Sequence, residues 1–308
     1  MDELRHACAA VAARACSVMV VTEAIPAYAA ALTAGPARIA QPTSAPPTTS
    51  AERETRAAYW LTMDAINFGS GWFPTLRKRA GLSGYNTIAA ALRDRFDTHG
   101  AWTAAELTQL DALALGPVLG QDPDHELIAL YSRALRDLGQ QVSTQYESSF
   151  AAVAHAGAAS AVALACRLGA WPSFADASRY DELTIPFLKR AQIAAADLHR
   201  AGVARFADLD RLTMFADNLV PHVLRLDGIL AFDHDLVARI DREELIVHGS
   251  PEEVEIRACA LHAVELLITA LPDGHHLNAA AADQLLWQRG QQPHYKASPR
   301  HRSRCTAY

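Results

Sequence analysis

The chain has no apolar run that approaches the roughly 18 uncharged residues of a membrane span, so no transmembrane segment is expected. Its beginning, MDELRHACAAVAARACSVMVV, starts acidic and carries scattered charge where a signal peptide needs a basic start and an unbroken apolar stretch. A cytoplasmic location is the expectation. Cysteine is scarce: Cys8, Cys16, Cys166, Cys259 and Cys305 are odd in number, far apart and free of any Cys-x-x-Cys pair, which favours reduced thiols over disulfides. None of the 13 histidines falls in a His-Glu-x-x-His or comparable pattern, so neither a metal nor another cofactor is expected. Alternating β-branched or aromatic runs are nearly missing. With alanine, leucine and arginine dominant, the expected class is all-α. A net charge of -6 argues against a general nucleic-acid coat, while a small anionic ligand would need only a local basic cluster. After Asp283 the chain has no acid at all.

Residues 3–33 read as one or two helices, and residues 34–50, rich in proline, serine and threonine, as a loop. Helix is expected again from Arg53 to a glycine-rich break at 67–72 (Asn-Phe-Gly-Ser-Gly-Trp), where backbone can approach a neighbour closely. Further helices are expected over Trp102 to Leu115, His125 to Gln140 and Tyr146 to Leu168, with His155 read as a hydrogen-bonded core histidine. In the stretch from Thr184 to Asp197, Pro186 suits a first helical turn. Ile185, Leu188, Ala191, Ala195 and Leu198 form one apolar stripe, flanked by Lys189, Gln192 and Asp197. Ser250-Pro-Glu-Glu253 reads as a capping box. The helix after it is apolar on nearly every side, so Glu255, Arg257, His262 and Glu265 imply a buried polar network. His275 and His276 follow Pro-Asp-Gly in an expected exposed turn. Asn278 to Trp287 reads as a short helix carrying Asp283.

The stretch from Leu212 to Leu230 is a helical pattern with a fault. Pro221 lacks an amide hydrogen and would clash with the carbonyl of Asp217, so one helix should end near Asp217 and Asn218 and another begin at Pro221. Asp217 would then face a helix amino end, as a cap or as a reactive carboxylate. The tail over 289–308, with Arg289, Lys296, Arg300, Arg302 and Arg304, is either solvated or a clamp for a phosphate.

Six ordered stretches carry a resemblance. They are Asp64-Ala-Ile-Asn-Phe68, Phe187-Leu-Lys-Arg-Ala-Gln-Ile193, Leu212-Thr-Met-Phe-Ala-Asp217 with Val220-Pro221, the run from Gly249 to Arg257, Asp283-x-Leu-Leu-Trp287, and His301-Arg-x-Arg-Cys-x-x-Tyr308. Together they resemble the queuosine salvage protein family of queuosine 5'-phosphate N-glycosylase/hydrolases. The resemblance implies one helical domain over 1–308, similar to helix-hairpin-helix DNA glycosylases, with the basic tail packed on the body. It implies metal-independent hydrolysis of queuosine 5'-phosphate to queuine and ribose 5-phosphate. It also implies a nucleoside pocket lined by Phe215, Ala216, Asp217 and Asp283. Family members often carry an aromatic after the second aspartate and an acid after the tryptophan, where this chain has Gln284 and Gln288.

Glycosidic cleavage builds positive charge on the ribose and negative charge on the departing base, so two carboxylates with separate tasks suit it. Asp283 and Asp217 are the expected catalytic pair. Phe215, together with Phe68 or Trp72, would stack on the base, with Ala216, Gln284, Gln288 and Asn67 as further substrate contacts. Lys189 and Arg302 would hold the 5'-phosphate. The expected partner is a small nucleotide, with no stable nucleic acid, no membrane and a monomeric state. Two alternatives stand beside this reading: a glycosylase acting on another purine-like nucleotide or on a base within nucleic acid, and a helical module that binds queuine or a related deazapurine nucleotide without cleaving it.

Overall fold

Short polar side chains start most of the helices in the computed structural model, which describes residues 1–33, 46–272 and 275–308. Thr49, Ser83, Thr103, Asp111, Ser149, Ser160, Asp233, Ser250 and Asn278 each accept an amide hydrogen from the first turn that follows. Each such cap contributes about 1 kcal/mol by satisfying a donor that the helix itself leaves open. In chain order the elements are α1 (Asp2–Ala12), β1 (Val18–Val20), α2 (Ile25–Thr33), α3 (Ser50–Ala65), α4 (Gly84–His99), α5 (Ala104–Gln109), α6 (Ala112–Val118), α7 (Glu126–Gln145), α8 (Phe150–His155) and α9 (Ala161–Gly169). There follow β2 (Ser178–Tyr180), β3 (Leu183–Ile185), α10 (Lys189–Arg200), α11 (Val220–Leu226), β4 (Leu230–Phe232), α12 (His234–Asp241), α13 (Pro251–Thr269), α14 (Ala279–Arg289) and α15 (Pro293–Lys296). The class is all-α, with three-residue strands that pair antiparallel as β1 with β4 and β2 with β3.

The elements fall into two compact units. The first draws on Met1–Gln41, Ala177–Lys189 and Asp210–Arg304. Its axis is α13, against which α1, α2, α11, α14 and strands β1 and β2 pack. Val254, Ile256, Leu261, Val264 and Leu267 of this helix are completely buried, at about 2 kcal/mol of apolar burial per large side chain. The polar network expected on it exists: Glu255 accepts the amides of Ser17 and Val18 at 2.7 and 3.1 Å and the Tyr180 hydroxyl at 2.8 Å. That carboxylate ties β1 and β2 to the central helix. The capping box is only half formed. Ser250 accepts from Glu253, whereas the Glu253 carboxylate reaches past Ser250 to the Gly249 amide.

The tail within this unit is built in. Tyr295 and His301 are buried, the Tyr295 hydroxyl donates to Asp227 at 2.7 Å, and the Arg302 carbonyl accepts the Ile246 amide at 2.9 Å. A solvated tail is therefore corrected. Two of its cations are occupied, Arg289 by Asp227 at 3.0 Å and Arg302 by Glu243 at 3.2 Å.

The second unit comprises Pro42–Asp176, Arg190–Leu209 and Cys305–Tyr308, with α7 packed by α3, α5 and α6 and α3 by α4 and α8. The break after α3 does bring backbone close. Gly69, at φ 114°, donates its amide to the carbonyl of Tyr308 at 3.0 Å, and a Cβ there would meet Leu127 at 2.8 Å. Arg190 lies fully buried, donates to the carbonyls of Ala65 and Ser173, and sits over the rings of Phe68 and Phe174 at 5.0 and 5.6 Å. Burial pushes its guanidinium down to about 10.

Several local expectations are corrected. The stretch from Trp102 to Leu115 holds two helices, because Asp111 caps a new start. Tyr146 to Leu168 also divides, at Ala158 and Ala159, whose φ values of 48° and 68° no helix accepts. His155 is exposed, not a core residue, with Nδ1 against the carbonyl of Ala151 at 2.6 Å. Pro186 precedes α10, which starts at Lys189 after the positive φ of Leu188. Residues 34–45 of the expected loop, and Asp273 and Gly274 of the expected turn, lie outside the described residues.

Candidate active site

The segment before Pro221 is not helical, against expectation, and the reason lies in its hydrogen bonds. From Leu212 to Asp217 the chain has no regular structure, and tertiary partners replace the helical ladder. Asp283 Oδ1 on α14 accepts the Phe215 amide at 3.0 Å. Arg257 Nε on α13 donates to the Ala216 carbonyl at 3.0 Å. Asp217 Oδ1 accepts the amides of Leu219 and Val220 at 2.8 and 3.0 Å, at the start of α11. Three consecutive residues are thus fixed by three different helices of the first unit. Asp217 is a cap, as the proline fault implies, and its carboxylate remains half-exposed. The helix it caps ends at Leu226, and Gly228 at φ 78° turns the chain into β4, so the expected helix does not reach Leu230.

The support beneath this segment is charged and dry. Arg257 is fully buried, its guanidinium 3.9 Å from the Phe187 ring centre and 3.8 Å from Glu253 Oε1. Burial opposes ionisation of Glu253, yet the His248 ring, the Arg257 charge and the Gly249 amide outweigh it, and its pKa falls to about 2. On the other side the Asn218 amide donates to the His301 carbonyl at 3.0 Å. Burial pushes the Arg300 guanidinium below its ordinary range, while the charge of neighbouring Asp217 pulls it up. Burial holds His301 down to about 3 and His222 down to about 4, so both rings are neutral at pH 7.

The expected site residues fall as follows. Phe215, Ala216, Asp217 and Asp283 are brought together in the first unit, with Asp283 only 6% exposed. Gln284 and Gln288 follow on the same helix, half-buried and exposed respectively. Lys189 is buried in this unit, and Arg302 is ion-paired at its rim. Asn67 and Phe68 belong to the second unit, where Asn67 is half-buried. The Phe68 ring there packs against Tyr131 at 4.9 Å and beneath Arg190. Trp72 is also buried and donates its ring N–H to Glu126 at 2.7 Å. Both rings are spent on protein contacts, and Phe215 adjoins Asp217 in the chain through Ala216 while its amide is held by Asp283. Sequence reasoning took Glu253 only as part of a capping box, Arg300 only as one cation of the basic tail, and Arg257 only as a charge in need of a partner. The signal for Arg257 was an arginine in a helix with no polar face.

Among the described residues, no group of three or more His, Cys, Asp or Glu side chains is arranged to hold a metal ion, and no helix is long and apolar enough to cross a membrane. What the arrangement offers is a backbone turn that bears the half-buried Asp217 and is tied at Phe215 to the buried carboxylate of Asp283 on α14. Such a pair can stabilise a cation and hold hydrogen-bond donors of a planar base.

Comparison with known proteins points the same way. The family described as "Queuosine salvage protein" matches residues 47–308. A queuosine 5'-phosphate N-glycosylase/hydrolase of Sphaerobacter thermophilus is 38% identical over 269 residues, covering 83% of this chain and 82% of that protein. The protein of the same description from Schizosaccharomyces pombe is 30% identical over 246 residues, 75% of this chain and 70% of its own. The one from Mus musculus is 34% identical over 152 residues, 45% of each chain. The chain belongs to the queuosine salvage protein family.

Proposed function

We propose that this chain hydrolyses the N-glycosidic bond of queuosine 5'-phosphate, releasing queuine and ribose 5-phosphate. Family membership and the descriptions of relatives aligned over most of their length support the reaction. The observation that carries the site is the bond from the Phe215 amide to Asp283, which sets a buried carboxylate beside the turn that bears Asp217.

In the proposed mechanism Asp283 or Asp217 stabilises the oxocarbenium-like sugar or orients the attacking water. The other carboxylate accepts the amino and imino hydrogens of the deazaguanine edge. Phe215 supplies a ring face, with Ala216, Gln284 and Gln288 as further contacts. Lys189 and Arg302 take the phosphate, Arg302 through the N–H groups that Glu243 leaves available, so that remote binding energy positions the bond to be broken. Asn67 and Phe68 enter the proposal from the sequence resemblance. The proposal includes a metal-independent, cytoplasmic monomer without a stable nucleic-acid partner, and the two units folding as one domain.

Incubating the protein with queuosine 5'-phosphate, and separately with queuosine, then chromatographing the products, tests substrate and phosphate recognition together. Free queuine from the nucleotide, with much slower release from the nucleoside, is expected. Equal turnover of both would remove the phosphate contacts, and a nucleotide that is bound but left intact would favour the non-catalytic alternative. A tRNA shift at low salt would contradict the absence of a nucleic-acid partner.

A further inference from the structure

The second unit carries a half-open groove of about 370 Å³, bounded by Arg53 on α3, by His155 and Ala159 around the end of α8, and by the segment from Gly202 to Phe206 after α10. That volume is within the usual range for small-molecule sites. Its charge is one-sided. The chain has 34 acids against 28 lysines and arginines, yet among the described residues that line this groove are two arginines, a histidine and no acid.

The acids nearest in sequence are committed elsewhere. Glu54, beside Arg53, accepts the Ser149 hydroxyl and the amides of Phe150 and Ala151 at 2.9, 2.6 and 2.9 Å. Glu52 pairs with Arg56 at 2.5 Å. Asp208, close to Arg205, accepts the Ser160 hydroxyl and the Ala161 amide at 2.5 and 2.6 Å. The helix-end carbonyls that could have served as acceptors are also taken. Ala158 donates to His155, Gly202 to His199, and Val203 and Ala204 to Leu198. Among the described residues, Arg53 and Arg205 therefore have no ion pair, and Arg53 Nε is shielded from solvent with no hydrogen-bond partner. Burial and the charge of Arg205 together hold His199 below the ordinary imidazole range.

Two uncompensated guanidinium forks facing one small groove suit a doubly charged phosphoryl group, whose oxygens accept paired N–H bonds. We propose that this groove is a binding site for a phosphate monoester or inorganic phosphate, held by Arg53 and Arg205 and separate from the Phe215 to Asp283 site. The inference does not depend on which reaction the other site performs.

Titration calorimetry of the full chain with inorganic phosphate in one arm and adenosine 5'-monophosphate in the other tests it. The variants are Arg53→Gln/Arg205→Gln and a control pair on α7, Arg133→Gln/Arg136→Gln. The expected result is one binding event weakened at least tenfold in the first variant only, with queuine release within twofold of wild type. Tighter binding of the nucleotide would assign the groove to a monoester, and equal binding to the free ion. No saturable event, or the same titration in all three proteins, would overturn the site. A collapse of hydrolysis in the first variant would overturn its separateness.

Discussion

The carboxylate of Asp283, on α14, accepts the backbone N–H of Phe215 at 3.0 Å across 68 residues of sequence. That bond holds an irregular segment in place, and Arg257 holds the next peptide by its carbonyl. A turn restrained from both directions presents its side chains at fixed positions, which is what a preorganised site requires.

Asp217 serves as a cap and is proposed to act on substrate, and two substitutions separate these roles. Asp217→Asn keeps an oxygen that can accept the Leu219 and Val220 amides, so its melting temperature should stay close to wild type. Asp217→Ala loses the cap and about 1 kcal/mol. Both should lower kcat by about a hundredfold or more, as loss of a preorganised charge does. Full activity in Asp217→Asn would leave Asp217 as a cap alone.

Arg257→Met removes the cationic partner of a buried Glu253 and the donor to Ala216. Glu253 then keeps only the His248 ring and the Gly249 amide, and the loss, at most the about 3–5 kcal/mol of a broken buried pair, is read as a shift of the urea midpoint. Glu253→Gln/Arg257→Met should recover much of that stability. It should not recover queuine release, because the Ala216 carbonyl still lacks its donor.

Acid should destabilise the fold before the ordinary carboxylate range is reached. His222 and His301 are held neutral, at about 4 and about 3, chiefly by burial. Unfolding returns each ring to about 6.5, so below that pH the unfolded chain binds protons that the folded chain refuses. Their stabilising effect is complete above about pH 6.5 and is lost as pH falls through the folded values, with Glu253 adding to the loss towards about 2. Together the rings should cost several kcal/mol, on the order of 5, by pH 4. Denaturant midpoints from pH 7.5 to 4 measure it. His222→Gln, which keeps a donor for the Tyr295 carbonyl, should flatten the slope.

Local pattern told much about the fold and less about the site. Helical pattern placed α3, α7 and α14, and the Ser250 cap placed the start of α13, because those helices depend on nearest neighbours in sequence. Pattern failed from Leu212 to Asp217, where apolar residues at helical spacing are drawn into an irregular path by Asp283 and Arg257, partners that periodicity cannot register. It failed also at Ala158 and Ala159, alanines in a left-handed turn that helix propensity would never select. Asp217 was legible from the proline fault as a cap or a reactive carboxylate, whereas Asp283 was legible as a site residue only through the family resemblance. The bond that ties the Asp217 segment to Asp283 on α14 became visible with the fold.

The most direct measurement is queuine and ribose 5-phosphate formed per minute from queuosine 5'-phosphate by the wild-type chain, Asp283→Asn and Asp217→Asn, with folding checked by circular dichroism. The account predicts equimolar products from wild type and a loss of about a hundredfold or more in each variant, folded as the parent is. Wild-type rates in both variants, or no queuine from the unaltered chain, would contradict it.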